Sequence, residues 1–253
     1  MEIKIYGRTG DVASRKDKFE DAQSHGPGNP LQPRSTYGDM ILSANGLREM
    51  SDSALLATAF TTVSLSKYGS AILNKFQTKS GGTLHHRLEV WYNDVNTHKL
   101  DLLNAIGKKI ASHHTTFHTP GAQRVKIDVT PEIKAHMPTF RFSLLNPSET
   151  LAMGGVQEVE VISNYFSDAP GYDYWDRRGY IHNSPHKARF GLSIFLKDWF
   201  GVDEDDFTNF RPAALLDRRG LAALWVLQHQ RGYKPLINIF QYDTFVDVNL
   251  GRI

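Results

Sequence analysis

The chain has 253 residues, of which 40% are apolar and 22% are charged, and its formal net charge is +2. This length and composition predict a globular protein of one large or two small domains, with enough apolar residues for a sizeable core. The near-neutral charge disfavours a protein that works on nucleic acid. The absence of cysteine excludes disulfides, thiolate metal sites and a cysteine nucleophile.

The N-terminal segment indicates neither export by the general secretion route nor membrane insertion. It lacks the apolar region of a signal peptide, and no stretch of the chain is long and apolar enough for a transmembrane helix. We therefore expect a protein that reaches any place outside the cytoplasm by a specialised secretion system. The first 44 residues are expected to be an irregular entry segment, because residues 26–35 contain three prolines and two glycines.

Helical spacing of apolar residues marks the next part of the chain, residues 45–120. Two helices are predicted between residues 45 and 80, with a break near Gly69 or in the β-branched run just before it. A short strand is expected over residues 85–92. A further amphipathic helix is predicted over residues 93–114, since Leu100, Leu103, Ile106 and Ile110 share one stripe.

Strands dominate the remainder, residues 121–253, because β-branched and aromatic residues are enriched there. One helix interrupts them, with Asp217 as its expected N-cap and Gly232 just past its end. This order predicts an α+β fold, in which an N-terminal helical layer packs on a C-terminal, mostly antiparallel sheet. Residues 45–253 are either one domain or a helical region followed by a β-rich catalytic region. The expected strands cover residues 124–129, 139–145, 156–166, 188–200 and 235–250.

The stretch KDWFGVDEDDF, residues 197–207, places five carboxylates at the end of a predicted strand. Strand alternation puts Asp198 on the same face as the apolar residues from Phe190 to Leu196, so it is expected to be at least partly buried. A buried carboxylate needs a cation, a metal or hydrogen-bond donors. Asp198 and Asp203 are therefore candidate ligands for Mg²⁺, which prefers carboxylate oxygens together with phosphate. The alternative is a polar turn whose acids cap backbone N–H groups.

Positive charge follows the acids. Arginine matches phosphate geometry with two parallel hydrogen bonds, and His229 is a candidate general acid or base. The alternative for His229 is a core residue that packs on Trp225. The candidate substrate-binding residues are Arg219, Arg231, Tyr233 and Lys234, and the candidate catalytic residues are Asp198, Asp203, Asp206, Arg211 and His229.

Two further sets are weaker candidates. The pairs His114/His118 and His182/His186 have a spacing that suits metal ligands on one helical face, but neither pair has an identifiable third ligand. The loop over residues 167–187 combines acids, arginines, a histidine and aromatic residues, which is typical of a binding loop and equally of a packed hairpin tip.

The order of the last 65 residues or so, a strand with DWFGVDEDDF and then LWVLQHQRGYKPLI, resembles a C-terminal toxin domain of gammaproteobacterial polymorphic toxins linked to Rhs and type VI secretion proteins. More distantly, it is similar to the catalytic domain of the colicin M family. That resemblance implies a partly barrel-like sheet and Mg²⁺-dependent cleavage of lipid II between its undecaprenyl chain and pyrophosphate.

The colicin M signature is Asp-x-Tyr-Asp-x5-His-Arg at a strand end. Asp198 matches its first Asp, Phe200 stands in place of the Tyr, and Gly201 replaces the second Asp. Phe207 and Thr208 stand where the family has His-Arg. Asp203, Asp206 and Arg211 are the candidates to replace the missing groups.

The leading hypothesis is thus an antibacterial effector that hydrolyses a lipid-linked peptidoglycan precursor in the target periplasm. The partners that it implies are that precursor, a cognate immunity protein and a secretion-apparatus carrier, without nucleic acid and with room for peripheral membrane contact. Two alternatives stay open: a membrane-perturbing or non-catalytic binding toxin, and a metal-dependent nuclease effector.

Overall fold

The computed structural model describes residues 2–10, 32–63, 68–87, 93–113, 124–136, 156–163, 186–204, 208 and 218–251. These residues form six helices and one six-stranded sheet. The strands are β1 (Glu2–Gly10), β2 (Thr83–Arg87), β3 (Arg124–Asp128), β4 (Glu158–Ser163), β5 (His186–Phe200) and β6 (Leu236–Gly251). The helices are α1 (Thr36–Ala44), α2 (Asp52–Val63), α3 (Gly69–Gln77), α4 (Asn93–Ala111), α5 (Thr130–His136) and α6 (Arg218–Gln230).

The sheet is mixed, in the order β2-β6-β5-β4-β1-β3. The three central pairs, which join β6, β5, β4 and β1, are antiparallel, whereas β2 on β6 and β3 on β1 are parallel. The sheet is open in the described residues, with β2 and β3 at its edges. The expectation of helices combined with a sheet is confirmed, and three of the five strand pairs are antiparallel as expected, whereas the barrel-like, colicin M-like geometry stays a prediction.

One face of the sheet carries the core. The even positions of β5 from Phe190 to Phe200 are buried, together with the even positions Leu236, Asn238, Phe240, Val246 and Val248 of β6. On the core face of β1, a Cβ atom at Gly7 would lie 2.7 Å from the backbone nitrogen of Thr130, so α5 packs very closely there. The helices thus cover the face on which the alternating apolar residues lie.

Helix α6 is the central helix of this layer. Every residue from Ala222 to His229 is buried, so the helix has no solvent face over more than two turns. Helix α2 packs along it. The chain leaves α6 through Gly232, whose φ of 72° lies in the left-handed region that glycine tolerates best. The predicted glycine stop is confirmed, and Asp217 lies outside the described residues.

The expectation for the first 44 residues is wrong at both ends of that segment. Strand β1 inserts between β4 and β3, and α1 begins at Thr36 after Ser35, whose hydroxyl accepts a hydrogen bond from the Gly38 N–H at 3.0 Å. The segment EIKIY alternates charged or polar with apolar residues, a strand signal that the proline-rich stretch after it obscures. Because β1 and β2 join the sheet, the sheet is not built from the C-terminal part alone.

The other predicted elements agree in place with the structure where it describes them. The break between α2 and α3 lies between Val63 and Gly69, and α4, β3, β4, β5, α6 and β6 fall on their predicted segments. Strand β2 begins and ends earlier than expected. The strand predicted over residues 139–145 lies outside the described residues, and the division into domains stays a prediction.

Candidate functional site

Asp198 lies on the core face of β5, as strand alternation predicts. It is 4% exposed, and the even-numbered residues before and after it on the strand, Leu196 and Phe200, are buried beside it. An ionisable group in this position is costly unless polar groups surround it. The neighbouring strands supply such groups.

Directly across from Asp198 on β6 lies Asn238, which is fully buried. The Oδ1 of Asn238 is 3.3 Å from Nε2 of His86, on the edge strand β2. Asp198, Asn238 and His86 thus form a line of polar side chains across β5, β6 and β2, which we name the polar row. The row runs from a buried carboxylate at its inner end to a half-buried imidazole at its outer end.

Aromatic rings hold His86 in place. Its ring stacks on Phe240 at 4.6 Å between centroids and lies 5.0 Å from the ring of Tyr68. Burial lowers the pKa of His86, the hydrogen bond with Asn238 raises it, and the charge of His85 lowers it, with a net shift below the ordinary value. His86 is therefore neutral at pH 7. With a carbonyl oxygen as the partner of Nε2, the proton is assigned to Nε2 and Nδ1 is the basic nitrogen.

Asn238 and His86 were not among the sequence candidates, although the signal that marked Asp198 also marks them. Asn238 stands between Leu236 and Phe240 on the buried alternation of β6. His86 is in phase with Leu84, which packs partly against the core. Each is a polar residue on an apolar stripe. That β2 pairs with β6, 150 residues away, was not predicted, because nothing local in the sequence indicates it.

At least one acidic residue of the turn after β5 has a structural role. The carboxylate of Glu204 accepts hydrogen bonds from the N–H groups of Arg34 and Ser35 and from the Ser35 hydroxyl. It therefore holds the chain at the beginning of α1, as the polar-turn alternative expects. Asp203 is half-buried in the same turn, and Asp206 lies outside the described residues.

A metal centre needs more ligands than the described part of the turn provides. Among the residues that the structure describes, no group of three or more His, Asp or Glu side chains is placed to hold a metal ion. Of the expected acids, the structure describes Asp198 and Asp203. These two residues do not by themselves make up a ligand set for Mg²⁺.

His229 is buried in α6 and connects that helix to the acidic turn. Its Nε2 donates to the carbonyl oxygen of Val202 at 2.9 Å, and its ring lies 4.8 Å from that of Trp225. The side-chain oxygen of the neighbouring Gln228 accepts a hydrogen bond from the N–H of the same Val202 at 2.9 Å. These contacts fix the chain four residues after Asp198. This is the arrangement that the core alternative for His229 expects.

The expected phosphate-binding residues divide between two places. Arg219 is exposed in the first turn of α6, and Arg211 lies outside the described residues. Arg231, Tyr233 and Lys234 follow the end of α6 and are near neighbours in the sequence. Three of the four expected substrate-binding residues therefore share one segment.

Tyr233 is the centre of that segment. Its hydroxyl donates to Asp52 Oδ2 at 3.2 Å, and its ring lies 5.3 Å from Phe76. Burial, together with the charge and the hydrogen bond of Asp52, raises the pKa of Tyr233 to about 12. Phe76 in turn meets Phe200 edge to face at 5.9 Å, so an aromatic stack lies between Tyr233 and the end of β5.

The opposite face of the sheet carries a different kind of polar group. Glu158 is fully buried there and accepts hydrogen bonds from Arg8 at 2.8 Å and from Lys197 at 2.7 Å. Lys197 also donates to Glu160 at 2.6 Å. Burial lowers the pKa of Lys197, but the two carboxylates outweigh burial and the net shift is upward. This is an ion cluster in which opposite charges compensate each other.

Ser193 and Asp243 form a close pair on the same face. The Ser193 hydroxyl donates to Asp243 Oδ1 at 2.6 Å, and Arg87 donates to the other carboxylate oxygen at 3.0 Å. The Ser193 and Gln241 hydrogen bonds lower the pKa of Asp243 against the opposing effect of burial, with Arg87 adding to the downward shift. A carboxylate whose pKa is lowered is a weak base, so the pair does not activate a nucleophilic serine.

The remaining sequence candidates fall mostly outside the described residues. This holds for His114, His118 and His182, and for the loop over residues 167–187 up to its last two residues. His186 begins β5. In the described part of the chain, no helix combines the length and the apolar character that crossing a membrane requires. Comparison with family models, curated proteins and solved structures gives no match for this chain.

Proposed function

We propose that this chain is an antibacterial effector toxin that hydrolyses lipid II, or a related undecaprenyl-pyrophosphate precursor, in the periplasm of a target cell. The observation that carries the proposal is the polar row. A carboxylate that is 4% exposed lies in phase with the core, opposite a fully buried asparagine that is hydrogen-bonded to a neutral histidine. Buried polar groups of this kind are expensive for stability and are typical of sites with a chemical role.

The two ends of the row suit different tasks. Asp198 at the inner end supplies a buried carboxylate. His86 at the outer end is half-buried on an edge strand of the described sheet, so it is the most accessible member of the row. In the proposal, Nδ1 of His86 takes up a proton from an attacking water and returns it to the leaving group. Asn238 holds Nε2 as the donor, and Asp198 stabilises the imidazolium that forms across the row.

The element order gives the proposal further support. Strand β5, the acidic turn, α6 and β6 follow one another in the order on which the resemblance to the polymorphic toxins and to colicin M rests. A partly barrel-like extension of the sheet and a Mg²⁺ ion near Asp198 and Asp203 belong to the proposal through that resemblance. Delivery by a type VI apparatus and neutralisation by an immunity protein belong to it on the same ground.

Product analysis with purified lipid II tests the reaction. The chain is incubated with lipid II and Mg²⁺, and the lipid products are separated by chromatography. We expect release of the undecaprenyl chain from the pyrophosphate-linked headgroup, and loss of that release with EDTA if a divalent cation takes part. Intact lipid II after long incubation with a folded, toxic preparation would overturn the proposal.

Targeting in a test bacterium separates the alternatives. The chain is produced either in the cytosol or, behind a signal peptide, in the periplasm. Growth arrest in the periplasm alone agrees with action on the precursor. Arrest in the cytosol with degraded nucleic acid identifies a nuclease. Toxicity that Asp198→Ala leaves intact identifies a binding or membrane-perturbing toxin.

A further inference from the structure

Three donors converge on a single acid beside the end of α6. Oδ2 of Asp52 accepts a hydrogen bond from the Tyr233 hydroxyl at 3.2 Å and another from the Lys79 ammonium at 3.1 Å. The guanidinium nitrogen Nε of Arg231 lies 3.9 Å from Oδ1. Two cations and a neutral hydroxyl around two oxygens are a donor set that also suits a phosphate group.

The charged side chains of this cluster are partly exposed, although Nε of Arg231 is buried and the Nη2 group of Arg231 donates to the Arg48 carbonyl at 2.7 Å. The side chains of Lys79, Arg231 and Asp52 are 44%, 36% and 39% exposed. Lys234 next to Tyr233 is exposed as well. The ammonium of Lys75 lies 3.4 Å from the hydroxyl of Ser80, one residue after Lys79 in the chain. Two cations, Lys79 and Arg231, thus face the single carboxylate of Asp52, and their excess positive charge attracts a second anion.

Lys79 adopts an unusual backbone conformation. Its φ of 55° makes it the one residue other than glycine with positive φ among those that the structure describes, just past the end of α3. Glycine or asparagine is the usual residue at this position, because a Cβ atom is strained there. The strain is held by contacts: Lys79 donates to the Arg231 carbonyl at 3.4 Å and stands 4.2 Å above the Tyr233 ring. The conformation thus follows from the end of α3, and these contacts hold the Lys79 ammonium beside Tyr233.

The cluster lies at the same end of the sheet as the polar row. Strand β5 ends there, and the parallel strands β2 and β6 both begin there. Lys79 precedes β2 and Tyr233 precedes β6. Asn238 comes five positions after Tyr233, so their Cα atoms are at most about 17 Å apart. The cluster and the polar row are therefore no farther apart than an elongated ligand can span.

We propose that Lys79, Arg231 and Lys234 form a subsite for the pyrophosphate of a lipid-linked precursor, and that the carboxylate of Asp52 occupies this subsite until the ligand displaces it. The inference rests on the proposed function for the identity of the ligand. It goes beyond that function in assigning Lys79, which the sequence did not single out, and in giving Asp52 the role of an internal competitor.

Binding of inorganic pyrophosphate tests the subsite without turnover. The full chain is titrated by calorimetry as the wild type and as Lys79→Gly, Asp52→Asn and Lys108→Gln. Lys79→Gly removes the cation and relieves the left-handed strain, so we expect about fivefold weaker binding in a protein that stays folded. Asp52→Asn removes the competing charge, and we expect about fivefold tighter binding. Lys108→Gln removes an exposed charge from α4 and should change nothing.

Opposite effects at Lys79 and Asp52 support the subsite. Equal weakening of pyrophosphate binding by Lys79→Gly and Lys108→Gln overturns the subsite, because net charge alone then explains the data. An unchanged affinity in Asp52→Asn also overturns it, because Asp52 then forms a purely structural ion pair. Lys79→Asn, which also tolerates positive φ, repeats the loss of charge in case Lys79→Gly does not fold, and thermal unfolding verifies each preparation.

The subsite and the proposed function fail in distinguishable ways. If pyrophosphate binding follows the expected pattern but lipid II is not cleaved, the subsite stands and the proposed reaction is wrong. If lipid II is cleaved but neither the pyrophosphate affinity nor KM responds to Lys79→Gly, the reaction stands and the subsite is wrong.

Discussion

Two buried carboxylates, one on each face of the same sheet, show how differently one fold treats negative charge. Glu158 on β4 is fully buried and forms salt bridges with Arg8 and Lys197, so these cations compensate its charge. Asp198 on β5 is 4% exposed and stands at the end of a row of neutral polar side chains. Lys197 and Asp198 are consecutive, and strand alternation sends them to opposite faces. The comparison sets a buried acid held by two cations beside one that faces neutral polar side chains, and exchanging each in turn shows which of them has a role in function.

The largest expected effect belongs to Asp198→Asn. The exchange keeps the size of the side chain but removes its carboxylate, and we expect the turnover of lipid II to fall about a thousandfold, with a corresponding loss of toxicity in the target periplasm. Asp247→Asn is the matched control, because Asp247 is half-exposed on β6 and paired with Arg189 at 2.7 Å. Dilution plating after periplasmic production measures both. Equal toxicity of the two variants would remove Asp198 from the site.

Glu158→Gln is expected to have the next largest effect, on stability rather than on activity. It leaves Lys197, whose side chain is 15% exposed, with a single carboxylate, and we expect a loss of about 3 kcal/mol in the free energy of unfolding. Chemical denaturation measures it. Glu160→Gln is the control, because Glu160 is 32% exposed and should cost less than about 1 kcal/mol. A larger loss for Glu160→Gln would show that Glu158 is not the anchor of the cluster.

His86→Gln is expected to change the pH dependence of stability. The pKa of His86 is lower in the folded state than its ordinary value of 6.5. Its neutral form therefore contributes stability above pH 6.5, and this contribution is lost as the pH falls towards the folded-state pKa. The wild type should lose more unfolding free energy than His86→Gln between neutral and mildly acidic pH. Parallel curves for the two proteins would contradict the assigned neutral state.

Ser193→Ala sharpens the comparison with the smallest change. It removes the 2.6 Å hydrogen bond to Asp243, and we expect a loss of about 1 kcal/mol in unfolding free energy together with a rise in the pKa of Asp243. Turnover should stay unchanged, because the pair lies on the face opposite the polar row. Ser53→Ala, at an exposed serine of α2, serves as control. A loss of turnover in a folded Ser193→Ala protein would move the reactive site to the outer face.

The sequence predicted what depends on local periodicity. Alternation placed Asp198 on the core face, and the glycine after α6 marked the end of that helix. The bounds of β2 were predicted inexactly, because a strand of five residues carries a weak signal. Strand β1 was overlooked, because the proline-rich segment after it dominated the interpretation. The general class of the fold follows from such signals. The parallel pairing of β2 with β6 does not.

The candidate site was predicted only in part, and for the same physical reason. Residues far apart in sequence meet through tertiary packing, and no local spacing encodes such contacts. The hydrogen bond between His86 and Asn238 spans 152 positions, and that between Tyr233 and Asp52 spans 181. His229, which looked like a catalytic candidate on its helix, bonds to Val202 and packs on Trp225. Composition and spacing identify reactive residue types, but packing decides which of them face one another.

The most direct test compares the two carboxylates in purified protein. Lipid II turnover and the free energy of unfolding are measured side by side for Asp198→Asn and Glu158→Gln, under conditions where both are folded. If the polar row is the reactive site, Asp198→Asn loses turnover with little change in stability, whereas Glu158→Gln loses stability and keeps turnover. Full turnover in Asp198→Asn, or turnover lost only in Glu158→Gln, would contradict the assignment of the polar row as the reactive site.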